Sequence, residues 1–131
     1  KQTGQRCKCR PDWLRPDGIV VDLKTTQDAS PKGFAKSVAN FRYHVQAAHY
    51  LNGLEAEQFI FIAVEKYYPF AVAVYELDDA ALTEGKHLAF RDLRRIATCR
   101  KLNEWPGYSQ EVSTLSLPMW AYNDDITAED F

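Results

Sequence analysis

The sequence predicts an α/β domain with a mixed central sheet flanked by helices. Three observations carry that expectation. Strand-like and helix-like segments follow one another in the order β-β-α-β-β-α. The run from Gln58 to Lys66 is almost continuously apolar, as a strand covered on both faces would be. The chain has 131 residues, 46% of them apolar and 26% charged, which is one ordinary globular domain rather than a disordered or repetitive one.

Each element has a local reason. Gln5 to Leu14 reads as a strand, and Gly18 to Thr26, rich in Ile, Val and Thr, as a second. Between them, Arg15-Pro16-Asp17-Gly18 is a turn in which Pro sets the first corner and Gly takes positive φ. Ser30 caps a helix that starts at Pro31. Phe34, Val38, Phe41, Val45 and Ala48 then recur at helical spacing to about Asn52, and Gly53 ends the helix. Tyr67, Tyr68 and Pro69 separate the Gln58–Lys66 strand from another over Phe70 to Leu77. Asp78 or Asp79 caps a long helix reaching about Leu102. The core thus covers about 5–102, and 103–131 is expected to be an extended aromatic tail lying on the body or on a neighbouring subunit. Residues 1–131 form a single domain.

Composition removes several classes of function. The longest apolar run, Phe59 to Val64, is far too short to span a bilayer, and the polar, basic first residues do not form a signal peptide. The chain opens on Lys1 rather than Met, so an excerpt of a longer polypeptide is expected. Three cysteines, Cys7, Cys9 and Cys99, suit a reducing compartment, and a cytoplasmic location is expected. The Cys7–Cys9 spacing is too tight for usual zinc ligation, so both are expected to be small buried or half-buried residues. The net charge of −2 hides an asymmetry: residues 1–101 carry all 16 Lys and Arg against 12 acids, and 102–131 carry six acids and no Lys or Arg. Arg91, Arg94 and Arg95 belong to a basic stretch from Lys86 to Lys101 that suits either a solvated helix face or a phosphate-contacting surface.

The chemistry concentrates on the first two strands. Asp22 and Lys24 are two apart and share one side of the sheet, with Ile19, Val21 and Leu23 expected to face the core on the other. A three-residue loop with left-handed Gly18 pairs Arg15 with Ile19 and sets Asp12 opposite Asp22, with Cβ atoms roughly 4.5–5.5 Å apart. Two such carboxylates repel by about 3 kcal/mol at an effective dielectric of about 20. Mg²⁺ would relieve that repulsion, and replacing either aspartate by asparagine is then expected to leave the metal-free fold intact. Lys24 is placed to orient or deprotonate a water there.

Arg10-Pro11-Asp12 followed by Asp22-Leu23-Lys24 resembles the split signature of the PD-(D/E)xK nucleases. Gln46-Ala47-Ala48-His49-Tyr50 is similar to the Gln-x-x-x-Tyr motif of their RecB-like branch. Cys9-Arg10-Pro11-Asp12, Asp22-Leu23-Lys24-Thr25-Thr26, Arg42-Tyr43-His44-Val45-Gln46 and Thr114-Leu115-Ser116-Leu117-Pro118 together resemble the RecE-type (exonuclease VIII) nuclease domain, over most of the chain and in the same order. The resemblance implies a restriction-endonuclease-like core and a Mg²⁺-dependent exonuclease, with Mn²⁺ as a substitute. It would degrade duplex DNA ends, 5′ to 3′, in phage-type homologous recombination. Asp12, Asp22 and the Leu23 carbonyl would hold the metal, Lys24 would act on the attacking water, and Gln46 and Tyr50 would flank them. Thr25, Thr26 and Arg42 become candidate DNA contacts, and His44 and His49 packing or DNA-facing residues rather than ligands. A ring-like homo-oligomer and a single-strand annealing partner are implied as well. The branch also implies an upstream helix bearing a His or Glu ligand, expected before Lys1; its iron–sulfur variants need four cysteines. An endonuclease, or a DNA-binding module without catalysis, are the alternatives.

Overall fold

A computed structural model describes residues 3–109 and 111–122. Four strands make one mixed sheet in the order β1-β2-β3-β4: β1 Trp13–Leu14, β2 Ile19–Thr26, β3 Gln58–Glu65 and β4 Val72–Glu76. β2 and β3 run parallel, from Ile19 beside Gln58 to Thr26 beside Glu65, and the two outer strands are antiparallel to their neighbours. The α/β class and mixed sheet are as the sequence predicts. The first hairpin also has the predicted register. Gly18 sits at φ +81°, Gly18 N–H donates to the Arg15 carbonyl, and Arg15 N–H donates to the Ile19 carbonyl. The first strand is much shorter than expected, since Gln5 to Asp12 form no strand.

The parallel β2–β3 crossover carries helices, as parallel pairing requires. Here the structure departs from the single helix predicted: α1 spans Pro31–Asn40 and α2 spans Tyr43–Leu54. Ser30 caps α1 by accepting from Gly33 N–H at 3.2 Å. Arg42, at φ +58°, turns the chain between the helices, and Phe41 is exposed instead of sharing the buried stripe of Phe34, Val38 and Ala48. Nor does Gly53 end the helix; Glu55, at φ +52°, does. Helix α3, Asp79–Leu102, is capped by Asp78, which accepts from Ala81 N–H at 2.8 Å. It packs on α2 rather than on the sheet. Gly85 permits that approach, because a Cβ there would lie 2.2 Å from the His44 carbonyl oxygen.

The core lies between the sheet and α1–α2, where Val20, Phe34, Val38, Ala47, Phe59, Phe61 and Ala63 are buried. Phe34 stacks on Tyr75 with ring centroids 5.2 Å apart and meets Phe61 edge-on. This reverses the predicted facing of β2. Val20, Asp22 and Thr26 are buried toward the helices, whereas Leu23 is 55% exposed on the opposite face with Val72 and Val74 of β4. A period of two shows that residues share a face but not which face the helices cover. β3 likewise is fully buried only at Phe59, Phe61 and Ala63; Ile60, Ile62 and Val64 are half-buried.

Beyond Asn103 the described chain is irregular, with one 3-10 turn at Met119–Ala121. Trp105 and Pro106 border a cavity of about 450 Å³ with Arg95, Thr98, Cys99 and Leu102. Tyr108, Val112, Leu115, Met119 and Trp120 are exposed, so of the two expected resting places this part of the tail does not take the body of its own chain, which leaves the neighbouring subunit; 123–131 fall outside the described residues. The cysteines are free thiols, with Cys7 exposed rather than half-buried, Cys9 half-buried and Cys99 buried. Burial, and the neighbouring Cys7, raise the Cys9 thiol pKa. Among the described residues no helix is long and apolar enough to cross a membrane.

Candidate active site

The site forms where β2 passes beneath α2. Asp22 is 2% exposed, and strand geometry puts Lys24 on its side of the sheet, under the same helix. Lys24 Nζ stands 2.5 Å from Asp22 Oδ2. From α2, Gln46 spans both: its Nε2 donates to Asp22 Oδ1 at 2.9 Å, and its Oε1 accepts from Lys24 Nζ at 2.9 Å. Gln46 can do both because an amide offers a donor and an acceptor on one planar group. The result is a closed triangle of carboxylate, ammonium and amide.

Asp12 lies at the rim. It sits one residue before β1, opposite Asp22 in the extended hairpin register, and its Oδ2 accepts from the Leu23 backbone N–H at 3.0 Å. The repulsion expected between the two aspartates is therefore answered within the chain. Lys24 and Gln46 compensate Asp22, and an N–H compensates Asp12. Tyr50, one turn beyond Gln46, donates from its hydroxyl to the Arg10 carbonyl at 3.3 Å and packs edge-on against Phe59. It ties α2 to the segment that delivers Asp12.

Other predicted residues fall elsewhere. Thr26 is buried, and its hydroxyl donates to the Asp28 carbonyl at 3.1 Å beside Ser37 Oγ, so it braces the turn into α1 instead of facing a phosphate. Asp28 in turn accepts from Ser30, which lowers its carboxyl pKa. Thr25 is exposed on the opposite face from Lys24. Arg42 is held 2.5 Å from Asp92 of α3, and Arg91 also pairs with Asp92. These partners, with the hydrogen bond from Arg42 foremost, pull the Asp92 carboxyl below its usual range despite partial desolvation. Arg94 and Arg95 are exposed and form no ion pair among the described residues, on a helix one layer removed from the triangle. His44 Nδ1 lies 3.3 Å from the Val38 carbonyl, in keeping with a packing role. The structure adds one residue to those the sequence singles out: Tyr43, whose ring centroid lies 4.5 Å from Lys24 Nζ. Its place one turn before Gln46 on a helix was the available signal.

The donor set suits a hard divalent ion. Asp22 Oδ2 is buried and receives no hydrogen bond, its close neighbour being the Lys24 ammonium. Asp12 adds a second carboxylate, and Mg²⁺ commonly binds through one or two carboxylates with waters and substrate phosphates completing its shell. No group of three or more His, Cys, Asp or Glu converges among the described residues. Among the described residues the carboxylates at the site are those of Asp12 and Asp22, and the Leu23 carbonyl is the third donor expected from the sequence.

Comparison with known proteins agrees with this core. Residues 1–118 match the family model described as a PDDEXK-like domain of unknown function (DUF3799). Among solved structures, the chain is similar to a "putative exonuclease" from Eubacterium rectale, with a TM-score of 0.65 and 21% identity over 91% of this chain and 51% of that one. The chain therefore spans about half the length of that protein, and the likeness concerns the fold. A second solved protein, SSO0001, shares 22% identity over 59% of this chain and 36% of its own, at a TM-score of 0.35 that carries no argument. None of the curated proteins matches.

Proposed function

The chain belongs to the PDDEXK-like domain family DUF3799, and from that premise we propose that it is the nuclease core of a Mg²⁺-dependent exodeoxyribonuclease acting on duplex DNA ends. The observation that carries the reading is the Asp22–Lys24–Gln46 triangle with Asp12 at its rim. A buried carboxylate and ammonium cost several kcal/mol to desolvate, and a fold that needed only stability could fill the space with apolar side chains at no loss. Such a cluster is better explained by chemistry than by packing.

Asp12 and Asp22, with the Leu23 carbonyl, would hold the metal, with Mn²⁺ able to replace Mg²⁺. When bound, that ion supplies Lewis-acid stabilisation of charge on the phosphate and acidifies water. Lys24 orients the attacking water and holds a proton at Nζ. Gln46 fixes where Nζ points, and Tyr50 keeps the Arg10–Asp12 segment against α2. The substrate class, the 5′-to-3′ polarity, a cytoplasmic role in phage-type recombination, a single-strand annealing partner and a ring-like assembly belong to this proposal through the RecE-type resemblance. Arg94 and Arg95 are its phosphate-contacting candidates.

The test is incubation of the full-length protein and Mg²⁺ with linear duplex and with covalently closed circular duplex. Loss of the linear DNA alone supports the exonuclease. Cleavage of both supports an endonuclease on the same site, and cleavage of neither by a folded, DNA-binding protein supports a module without catalysis.

A further inference from the structure

Among the described residues the Lys24 ammonium meets two polar partners and one aromatic ring. Asp22 Oδ2 and Gln46 Oε1 take two sides of its ammonium, and the Tyr43 ring, 4.5 Å from Nζ, takes a third. That distance is within cation–π range, and the Lys24 side chain is only 16% exposed, so water screens the contact little. The ring is not free to drift. It is flanked by Phe34, Phe41 and Phe61, with centroids 6.3, 5.6 and 6.1 Å away, and Tyr43 is the first residue of α2 after left-handed Arg42.

We infer that Tyr43 is a positioning residue for Lys24, its ring face holding the ammonium in the site when Asp22 is engaged elsewhere. The inference rests on the nuclease reading above. In the resting protein the strongest partner of Lys24 is the Asp22 carboxylate. If Asp22 turns its charge to a cation, that partner is shared, and Gln46 Oε1 alone would have to hold a flexible four-carbon side chain. The ring supplies attraction that leaves the carboxylate oxygens to a divalent cation, which takes oxygen ligands and keeps its waters rather than binding a ring face. It needs the ring face rather than the phenolic oxygen, since among the described residues the Tyr43 hydroxyl makes no hydrogen bond to Lys24 and the contact is with the ring.

Two measurements test this on Tyr43→Phe and Tyr43→Leu, with folding checked by thermal denaturation and assays run well below both midpoints. Without metal, the Lys24 ε-methylene protons are followed by ¹H–¹³C NMR. The ring current should shift them upfield in the unaltered protein and in Tyr43→Phe, and the shift should vanish in Tyr43→Leu. With Mg²⁺ and linear duplex, Tyr43→Leu should lower kcat about three- to thirtyfold, the range of one cation–π contact, with KM little changed and Tyr43→Phe close to the unaltered protein. In a Lys24→Met background, Tyr43→Leu should cost no further rate. Unshifted methylenes in the unaltered protein, or a Tyr43→Leu enzyme with normal kcat, overturn the role of Tyr43 and leave the nuclease standing. Absence of cleavage by the unaltered full-length protein overturns the nuclease reading, and the role of Tyr43 in it, even where the ring-current shift is present.

Discussion

The two aspartates proposed to hold the metal are unequal as parts of the fold, and that inequality can be measured without metal. Asp22 is buried against the Lys24 ammonium and accepts from Gln46, whereas Asp12 is exposed and accepts from one backbone N–H. In Asp22→Asn the amide can still accept from Gln46, but its NH₂ faces an ammonium that has lost its counter-charge. Breaking a buried pair on one side costs about 3–5 kcal/mol, and the residual 16% exposure of Lys24 favours the lower figure. For a domain of this size that is a fall of roughly 11–18 °C in Tm. Asp12→Asn keeps an oxygen facing Leu23 N–H and loses only the charge on that bond, about 0.5 kcal/mol or roughly 2 °C. The assay is circular dichroism melting in chelator at pH 7. Adding Lys24→Met to Asp22→Asn should recover at least about 1 kcal/mol, since the two changes remove both members of one pair. If Asp22→Asn melts no lower than Asp12→Asn, or higher than the unaltered protein, then carboxylate repulsion governs the site and the ion-pair argument fails.

Other outcomes follow from the same geometry. Lys24→Arg and Lys24→Ala should both lose about 10²–10⁴-fold in cleavage while DNA binding persists, because guanidinium neither releases its proton nor fits beside Gln46; a near-normal Lys24→Arg rate would remove Lys24 from the chemistry. Gly85→Ala should destabilise by about 1–3 kcal/mol by melting, despite better helix propensity, because the new Cβ meets the His44 carbonyl, which cannot rotate away. Asp92 has a lowered pKa in the folded state, so its contribution is present above the unfolded value of 3.8 and is lost as pH falls through the folded one. The stability gap between the unaltered protein and Asp92→Asn should therefore be small, within about 1 kcal/mol at pH 6, and should close on acidification below 3.8. If Arg94 touches a phosphate, Arg94→Gln should reduce the salt slope of duplex binding by about one; an unchanged slope assigns that face to solvent.

What could be read from the sequence depended on how local its cause was. The Pro16-Asp17-Gly18 turn and the Ser30 and Asp78 caps are set within three or four residues, and all three are found where expected. The break between α1 and α2 has no such local cause. Asn40-Phe41-Arg42 contains neither Gly nor Pro, and the left-handed Arg42 is held by Asp92, fifty residues away, so apolar spacing ran straight across it. That break also decides where the first turn of α2 points, so the meeting of Tyr43 with Lys24 is not legible in the sequence, whereas Gln46, one turn later, belongs to a recognisable motif.

The misjudged face of β2 and the makeup of the site have one physical root. Ile19, Val21 and Leu23 are the more apolar set, and hydrophobic patterning favours burying them in a strand that carries Asp22 and Lys24 on its other side. The fold buries the charged set instead, which is tolerable because Asp22, Lys24 and Gln46 satisfy one another within 2.9 Å. Hydrophobic patterning counts each residue alone and cannot see that a carboxylate and an ammonium two positions apart cancel when an amide from another element joins them. The same cancellation bears on how a cation would bind. Anything that takes Asp22 Oδ2 must displace an ammonium already 2.5 Å away, so the site favours an ion that arrives with a phosphate able to receive the freed Lys24 charge. Substrate and metal would then bind more tightly together than either does alone. Calorimetric titration of the protein with Mg²⁺, with and without a short duplex, would show that coupling as tighter binding in the presence of DNA. Equal affinities in the two titrations would mean that Lys24 is not displaced.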